Sequence, residues 1–368
     1  MPGRVGSLLG RLVRWRMFVI VVVVCAAVAA IVSAIASTAT PTTAATPSVS
    51  VDGLEHASLS VHGDAYGYAL YVPSSVTVGS AAALVVVLHG CGMTADEMAA
   101  ASRYDALAQS ERFIVLYPDV DSVDANGQGR CWKGIWAPQR EGRGAGDAGA
   151  IADMTREVMR RWRVDGNRVY AIGISAGAFE ASILGTSYPD LYAAIGIHSG
   201  AAYMGSAPQC LPVSDATADT AALARSALTA MGSRARVVPV IVIHGDADQA
   251  IPYGCGQQAL AQWLLVDNLL LAREQRPGVP DSGGTVRNAA VSGGRAYSVL
   301  SYAAASGCPV AQFWTVHGMG HFWSGGSTDP ASARFSDPRG PSATAASWAF
   351  FSHWGLSGPL RPCTAADR

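Results

Sequence analysis

One lysine, Lys133, stands in a chain of 368 residues, and charged side chains of every kind make up only 14% of it. With 26 basic against 27 acidic residues the formal net charge is −1. That balance supplies no basic surface for nucleic acid and no acidic field for a cationic partner. No HExxH is present, no Gly-Lys-Ser/Thr completes the glycine-rich REGRGAGDAG, and no CxxC pair occurs. These absences exclude the zinc-hydrolase helix, the phosphate loop and the structural zinc site, and neither a metal nor a cofactor is called for. No repeat with a period of roughly 20–50 residues recurs, which excludes a solenoid or a propeller.

What is present begins with a targeting pattern. Arg4, Arg11, Arg14 and Arg16 precede an almost wholly apolar run from Met17 to Ala36. Such a run is long enough to span a bilayer with its arginines on the cytoplasmic side, and Ala34-Ile35-Ala36 offers a small-x-small cleavage site. Residues 1–36 are therefore expected to be a signal peptide or an N-terminal membrane anchor. Either one puts the rest of the chain outside the cytoplasm, and only an uncleaved segment would keep it at a membrane. Residues 37–50 are rich in Thr, Ala and Pro and uncharged, and read as a linker. Residues 51–362 are expected to form one α/β domain. Six cysteines lie beyond the apolar run, Cys91, Cys131, Cys210, Cys255, Cys308 and Cys363. In an oxidising compartment they allow up to three disulfides, whose pairing the spacing leaves open.

Strand and helix patterns alternate along that domain. ASLSVH and YGYALYVP read as an opening antiparallel pair. ALVVVLHG, Ala83 to Gly90, is a continuous apolar run of the kind a fully covered parallel strand needs. Thr94 to Arg112 reads as one helix, with Thr94 and Glu97 forming a capping box. FIVLYPD is a strand, and residues 119–146 form a glycine-rich loop. Asp147 is placed to cap a helix running to about Trp162. RVYAIGI, YAAIGIHSG, VVPVIVIHG and VAQFWTVHG are further strands. Gln257 to Arg273 reads as helix, Pro277 to Gly294 as a surface insertion, and Ala343 to Trp354 as the last helix. The order implies a mostly parallel sheet of about eight strands with helices on both faces.

In such a sheet ligands sit beyond the carboxyl ends of the strands. Ser175 ends one strand, Asp246 and Asp248 follow another, and His321 follows the last. Ser, Asp, His is the chain order of an α/β-hydrolase triad. Gly173-Ile174-Ser175-Ala176-Gly177 matches G-x-S-x-G. With 40 glycines in the chain the match alone is weak. Its position between a buried strand and a helix is what makes Ser175 a candidate nucleophile. His321, in a glycine-flanked turn, is the candidate base, with His317 the rival. Asp248 is favoured over Asp246 as the acid, because His-Gly-x-x-Asp gives the loop room to turn back; Asp246 would then organise that loop. The oxyanion donors are expected to be the backbone N–H groups of Ala176 and Cys91, and a Cys91–Cys131 disulfide would pin the second of them.

The stretches from LVVVLHGCGM to FIVLYPD, then CWKGIW, RVYAIGISAGA, YPDLYAAIGIHSG, IHGDADQAIPY and GMGHFWSGG together resemble the polyhydroxybutyrate depolymerase family of esterases. They are similar also to feruloyl and acetylxylan esterases. The resemblance covers about Ala57 to Trp354. It implies an α/β-hydrolase fold, the triad Ser175, Asp248 and His321, an oxyanion hole at Cys91 and Ala176, and no cofactor. Trp132 and Trp323 would border the acyl site or belong to the core. The substrate would be a small ester or oligoester. Polymer-degrading members usually carry a linker and a surface-binding domain after the catalytic one, and here about fifteen residues follow Trp354. Soluble esters are therefore expected at least as much as solid polyester. The same triad could serve a cell-envelope acyltransferase, which differs only in the acceptor, or survive in a silent binding scaffold.

Overall fold

The computed structural model describes residues 53–61, 63–76, 81–120, 129–205, 219–279 and 284–364. The apolar run at 17–36, the linker and Cys210 lie outside the described residues. Among the described residues no helix is long and apolar enough to cross a membrane.

Strands β1 (Leu54–Val61) and β2 (Asp64–Tyr71) form the opening antiparallel hairpin. Then come β3 (Ala82–Leu88), β4 (Ile114–Asp119), β5 (Val164–Ile174), β6 (Ala194–His198), β7 (Val240–Gly245), β8 (Thr285–Ala290), β9 (Ala296–Ala303) and β10 (Pro309–Val316). They make one ten-stranded sheet in the order β1-β2-β4-β3-β5-β6-β7-β10-β9-β8. Neighbours from β4 through β10 pair in parallel, and an antiparallel pair flanks them at each end. Every residue of β3, β6 and β7 is buried. That explains their unbroken apolar composition: a strand covered on both faces has no polar side to show.

Seven helices matter here: α1 (Ala95–Ser102), α2 (Tyr104–Glu111), α3 (Gly146–Trp162), α4 (Ala176–Ser187), α5 (Thr220–Met231), α6 (Tyr253–Arg273) and α7 (Ala343–Phe351). They fall into two packed groups, α3 to α6 in succession on one side and α1, α2 and α7 on the other. The sheet lies between them, as in an α/β-hydrolase. All twelve residues of α4 are buried, which its Ala, Gly and Ser content permits by letting neighbours approach closely. On the other side Trp348 of α7 stacks on Phe113 with ring centroids 4.1 Å apart, and Phe351 stacks on Tyr170 at 5.1 Å.

Four expectations are corrected. The helix read from Thr94 to Arg112 is two helices, because Arg103 adopts φ 59°, ψ 30° and turns the chain so that Tyr104 is fully buried. The capping box at its start is present, with Glu97 N–H donating to Thr94 Oγ1 and Thr94 N–H to Glu97. Asp147 does not cap α3; Ala145 holds that position, and the Asp147 carboxylate is wholly buried against Tyr66 and Lys133. Within the stretch read as a surface insertion, residues 285–290 form β8, which pairs with β9 and widens the sheet from about eight strands to ten. Helix α6 starts at Tyr253 rather than Gln257.

Two disulfides join described cysteines, Cys91–Cys131 and Cys308–Cys363. Cys255 is buried in α6.

Candidate active site

The strand register brings five chain crossings to one edge. Leu88 lies beside Gly173, Ile174 beside His198, His198 beside Ile243, and Gly245 beside Val316. From β3 the chain steps outward to β4 and then returns to β5 on the other side, and it is beside such a reversal of strand order that open α/β sheets bind their ligands.

Ser175 stands at the β5–α4 junction with φ 56° and ψ −125°. A non-glycine residue there costs on the order of 1–3 kcal/mol, which the surroundings must hold in place. They do so through backbone bonds: Ser175 N–H donates to the His198 carbonyl at 3.0 Å, and the Ser175 carbonyl accepts Ala178 and Phe179 N–H at 2.8 and 3.2 Å. The flanking glycines are required by space. A Cβ on Gly173 would fall on the Gly177 carbonyl, and one on Gly177 would fall on the carbonyls of Leu88 and His89. Ser175 itself is partly exposed, unlike its neighbours on either side.

The loops after β7 and β10 are stitched together. Asp246 N–H donates to the Val316 carbonyl at 3.3 Å, and Ala247 N–H to the Met319 carbonyl at 3.1 Å. Across this seam His321 Nδ1 lies 2.8 Å from Asp248 Oδ2. The Asp248 carboxylate is sealed from solvent and also accepts the Ala250 and Ile251 N–H groups, each at 2.9 Å. Burial by itself would raise its pKa, but the hydrogen bond and charge of His321 outweigh that, and the group sits below the usual carboxylate value. Asp246 is occupied elsewhere: it meets His317 Nδ1 at 2.8 Å and accepts Gly318 N–H at 2.6 Å. His317 Nε2 in turn lies 2.9 Å from Ser298 Oγ.

The loop after β3 closes over Ser175. The Gly90 Cα is so near that a Cβ there would lie 3.2 Å from that of Ser175. Gly92 and Met93 N–H donate to the carbonyls of Arg130 and Gly90. The N–H groups of Cys91 and Ala176 enter no hydrogen bond among the described residues, nor does the Ser175 hydroxyl. In hydrolases without ligand the serine–histidine bond is often long and tightens only with substrate in place.

His198 links these parts. Its carbonyl holds Ser175, its Nε2 accepts Ser324 N–H at 3.1 Å, and Trp323 stacks on its ring at 4.9 Å. Burial, helped by the neighbouring His244 and His321, pushes its pKa down to about 3, so it stays neutral beside the imidazole of His321. Trp323 and Trp132, read as bordering the acyl site or belonging to the core, each pack on a strand-ending histidine. They are 1% and 0% exposed and serve as supports: Trp323 Nε1 donates to Thr344, and Trp132 packs on His89 and donates to its carbonyl at 2.9 Å. A tryptophan in the stretch after a strand carries no sign of whether it faces ligand or core, so the sequence could not separate the two roles. The part played by His198 was also hidden, since a strand-ending histidine looks the same whether it bonds a loop or does chemistry.

A profile of the family described as esterase PHB depolymerase matches residues 66–281. The chain belongs to this family. The matched region includes Cys91, Ser175 and Asp248. Poly(3-hydroxyalkanoate) depolymerase C of Paucimonas lemoignei is 31% identical over 258 residues, covering 68% of this chain and 57% of that protein. This family member therefore spans little more than half the length of that relative. Feruloyl esterase B of Thermothelomyces thermophilus is 28% identical over 227 residues, covering 59% of this chain and 75% of that protein. Among solved structures, acetyl xylan esterase from Aspergillus awamori aligns with a TM-score of 0.54 at 20% identity over 76% of this chain and 97% of that one, which establishes the shared α/β-hydrolase fold.

Proposed function

We propose that this chain is an extracytoplasmic serine esterase that hydrolyses carboxylic esters through an acyl-enzyme on Ser175. The observation that carries the reading is the sheet edge itself: a serine held on a strained strand-to-helix turn, with a His–Asp pair at 2.8 Å on the loops of two neighbouring strands. Membership of an esterase family and the names of the relatives support it.

In this reading His321 Nε2 takes the Ser175 proton as the oxygen attacks the ester carbonyl. Asp248 keeps the Nδ1 proton in place and stabilises the imidazolium. The N–H groups of Cys91 and Ala176 receive the oxyanion, and removing one such donor typically costs about 2.7–4 kcal/mol. The first turn of α4 adds its dipole to the same charge. His321 then protonates the departing alcohol, and water repeats the sequence to release the acid. Hydroxyalkanoate oligomers and aryl or acetyl esters are the substrate classes the family suggests.

Ser298–His317–Asp246 also forms a hydrogen-bonded Ser–His–Asp row, yet it does not support catalysis. Ser298 lies inside β9, paired with Asn288 on one side and Thr315 on the other, so the ladder uses its backbone and it has neither an elbow nor an oxyanion cradle. The domain layout follows the same reading: residues 1–36 as a signal peptide or anchor, 37–50 as a linker, and 51–362 as the catalytic domain. The two disulfides support a location outside the cytoplasm.

Ser175→Ala should abolish hydrolysis of p-nitrophenyl esters with unaltered melting, and a fluorophosphonate probe should label Ser175. A label mapped to Ser298 would overturn the assignment. Supplying water and a sugar as competing acceptors tests hydrolysis against acyl transfer, and ester product in the sugar fraction would reassign the enzyme as a transferase.

A further inference from the structure

Three carboxylates converge where the loop after Trp132, the first turn of α3 and the middle of α4 meet. Glu141, Asp147 and Glu180 each place an oxygen within 4.8 Å of the others, and all three are buried. Their hydrogen bonds are only partly filled. Glu141 accepts Ala148 N–H at 3.1 Å. Asp147 accepts Tyr66 Oη–H at 2.8 Å and Lys133 N–H at 2.7 Å. Glu180 Oε1 accepts Gly134 N–H at 2.9 Å, while Glu180 Oε2, with the residue 0% exposed, has no partner.

Charge is out of balance as well. Three carboxylates face one ammonium, Lys133, whose Nζ is 3.4 Å from Asp147 and whose side chain is 46% exposed. With all three ionised the formal remainder would be two negative charges, which in a buried site must be met by protons or by a cation. Buried charges persist only when paired or when they coordinate an ion.

The donor set fits a particular ion. It is all oxygen, which suits a hard cation and lacks the nitrogen and sulfur that zinc prefers. Oxygens no more than 4.8 Å apart can share one ion at the calcium–oxygen distance of about 2.4 Å. Magnesium keeps several waters in a strict octahedron, whereas calcium tolerates irregular carboxylate sites.

We propose that Glu141, Asp147 and Glu180 form a structural site for one divalent cation, calcium by preference. The ion would tie three segments that no disulfide joins. One carries Trp132, which supports the His89 carbonyl, and another is α4, which carries Ser175 at its start. Lys133 competes with the ion from the solvent side.

The test uses the full chain, freed of metal by a chelator, and reads melting temperature and calorimetric calcium binding. One calcium per chain is expected, with melting raised by roughly 5 °C at a hundredfold excess over Kd. Glu180→Gln keeps an oxygen for Gly134 N–H and removes the charge, so it should lose the shift. Lys133→Met removes the competitor and should bind calcium more tightly than the parent. The proposal is overturned if calcium, magnesium, manganese and zinc chlorides all leave the parent's melting unchanged, or if Glu180→Gln responds as the parent does. Should that variant not fold, Lys133→Met decides: an unaltered calcium affinity would equally sink the site.

Discussion

Replacing Asp248 with asparagine should separate its two jobs. One carboxylate oxygen holds the Ala250 and Ile251 N–H groups, and the other faces His321 Nδ1. The amide oxygen can keep the first pair, so the loop should hold. The amide NH2 then faces His321, and two donors cannot bond. The imidazole must shift its proton to Nε2, leaving no base for Ser175. A loss of about 10⁴ in kcat is expected, close to 5.4 kcal/mol of transition-state stabilisation. Melting should fall by only a few degrees, since one charge-assisted hydrogen bond is worth roughly 1.5–3 kcal/mol. The assay is p-nitrophenyl ester hydrolysis with parallel thermal melts. Asp246→Asn is the control. It loosens the bond to His317 and Gly318 without touching His321, and should cost no more than about tenfold. If Asp248→Asn stayed within tenfold of the parent, or Asp246→Asn proved the more damaging, the assignment of the acid would be wrong.

Other expectations rest on separate features. Gly177→Ala would drive a methyl into the Leu88 and His89 carbonyls, so melting should drop by at least the equivalent of ~1–3 kcal/mol and activity should collapse; a soluble, active variant would contradict the packing. The Cys308–Cys363 bridge closes a separation of 55 residues, and chain entropy puts its contribution near ~4 kcal/mol; serines at both positions should therefore lower melting markedly, and no change would mean the bridge is absent in solution. Asp248 and Asp337 have native pKa values below 3.8, despite burial, because of His321 and Arg295 respectively. Their stabilisation is complete above 3.8, the unfolded value, and is lost as pH falls through the lower native values. Melting curves should show that acid loss, with a shallower slope in Asp248→Asn; identical slopes would remove Asp248 from the account.

The central strands were legible because covered strands need continuous apolar runs, and β3, β6 and β7 have them. The hairpin of β8 and β9 was not. TVRNAA is almost wholly exposed, so it shows neither a run nor an alternation, and the glycines beside it read as loop. Nor does anything in ASRYDA mark Arg103 as left-handed; the burial of Tyr104 selects that turn, and burial is a property of the fold. Asp147 misled for a related reason. An acidic residue near a helix start suits a cap, and only the folded chain reveals that Tyr66 and Lys133 are its partners. The strand-end residues Ser175, Asp248 and His321 could be nominated because alternating strands and helices fix which ends share an edge. The seam of Asp246 with Gly318, which holds the two loops together, needs coordinates.

The strand order has a consequence for biosynthesis. Strand β10 sits between β7 and β9, and the turn bearing His321 follows it, so a nascent chain that has reached Ser175 or even Asp248 still lacks its neighbouring ladder and its imidazole. Ribosome-bound fragments, early stops and products clipped ahead of β10 should all be inert toward esters. Hydrolytic power would arrive late and all at once, when β10 and the turn after it dock.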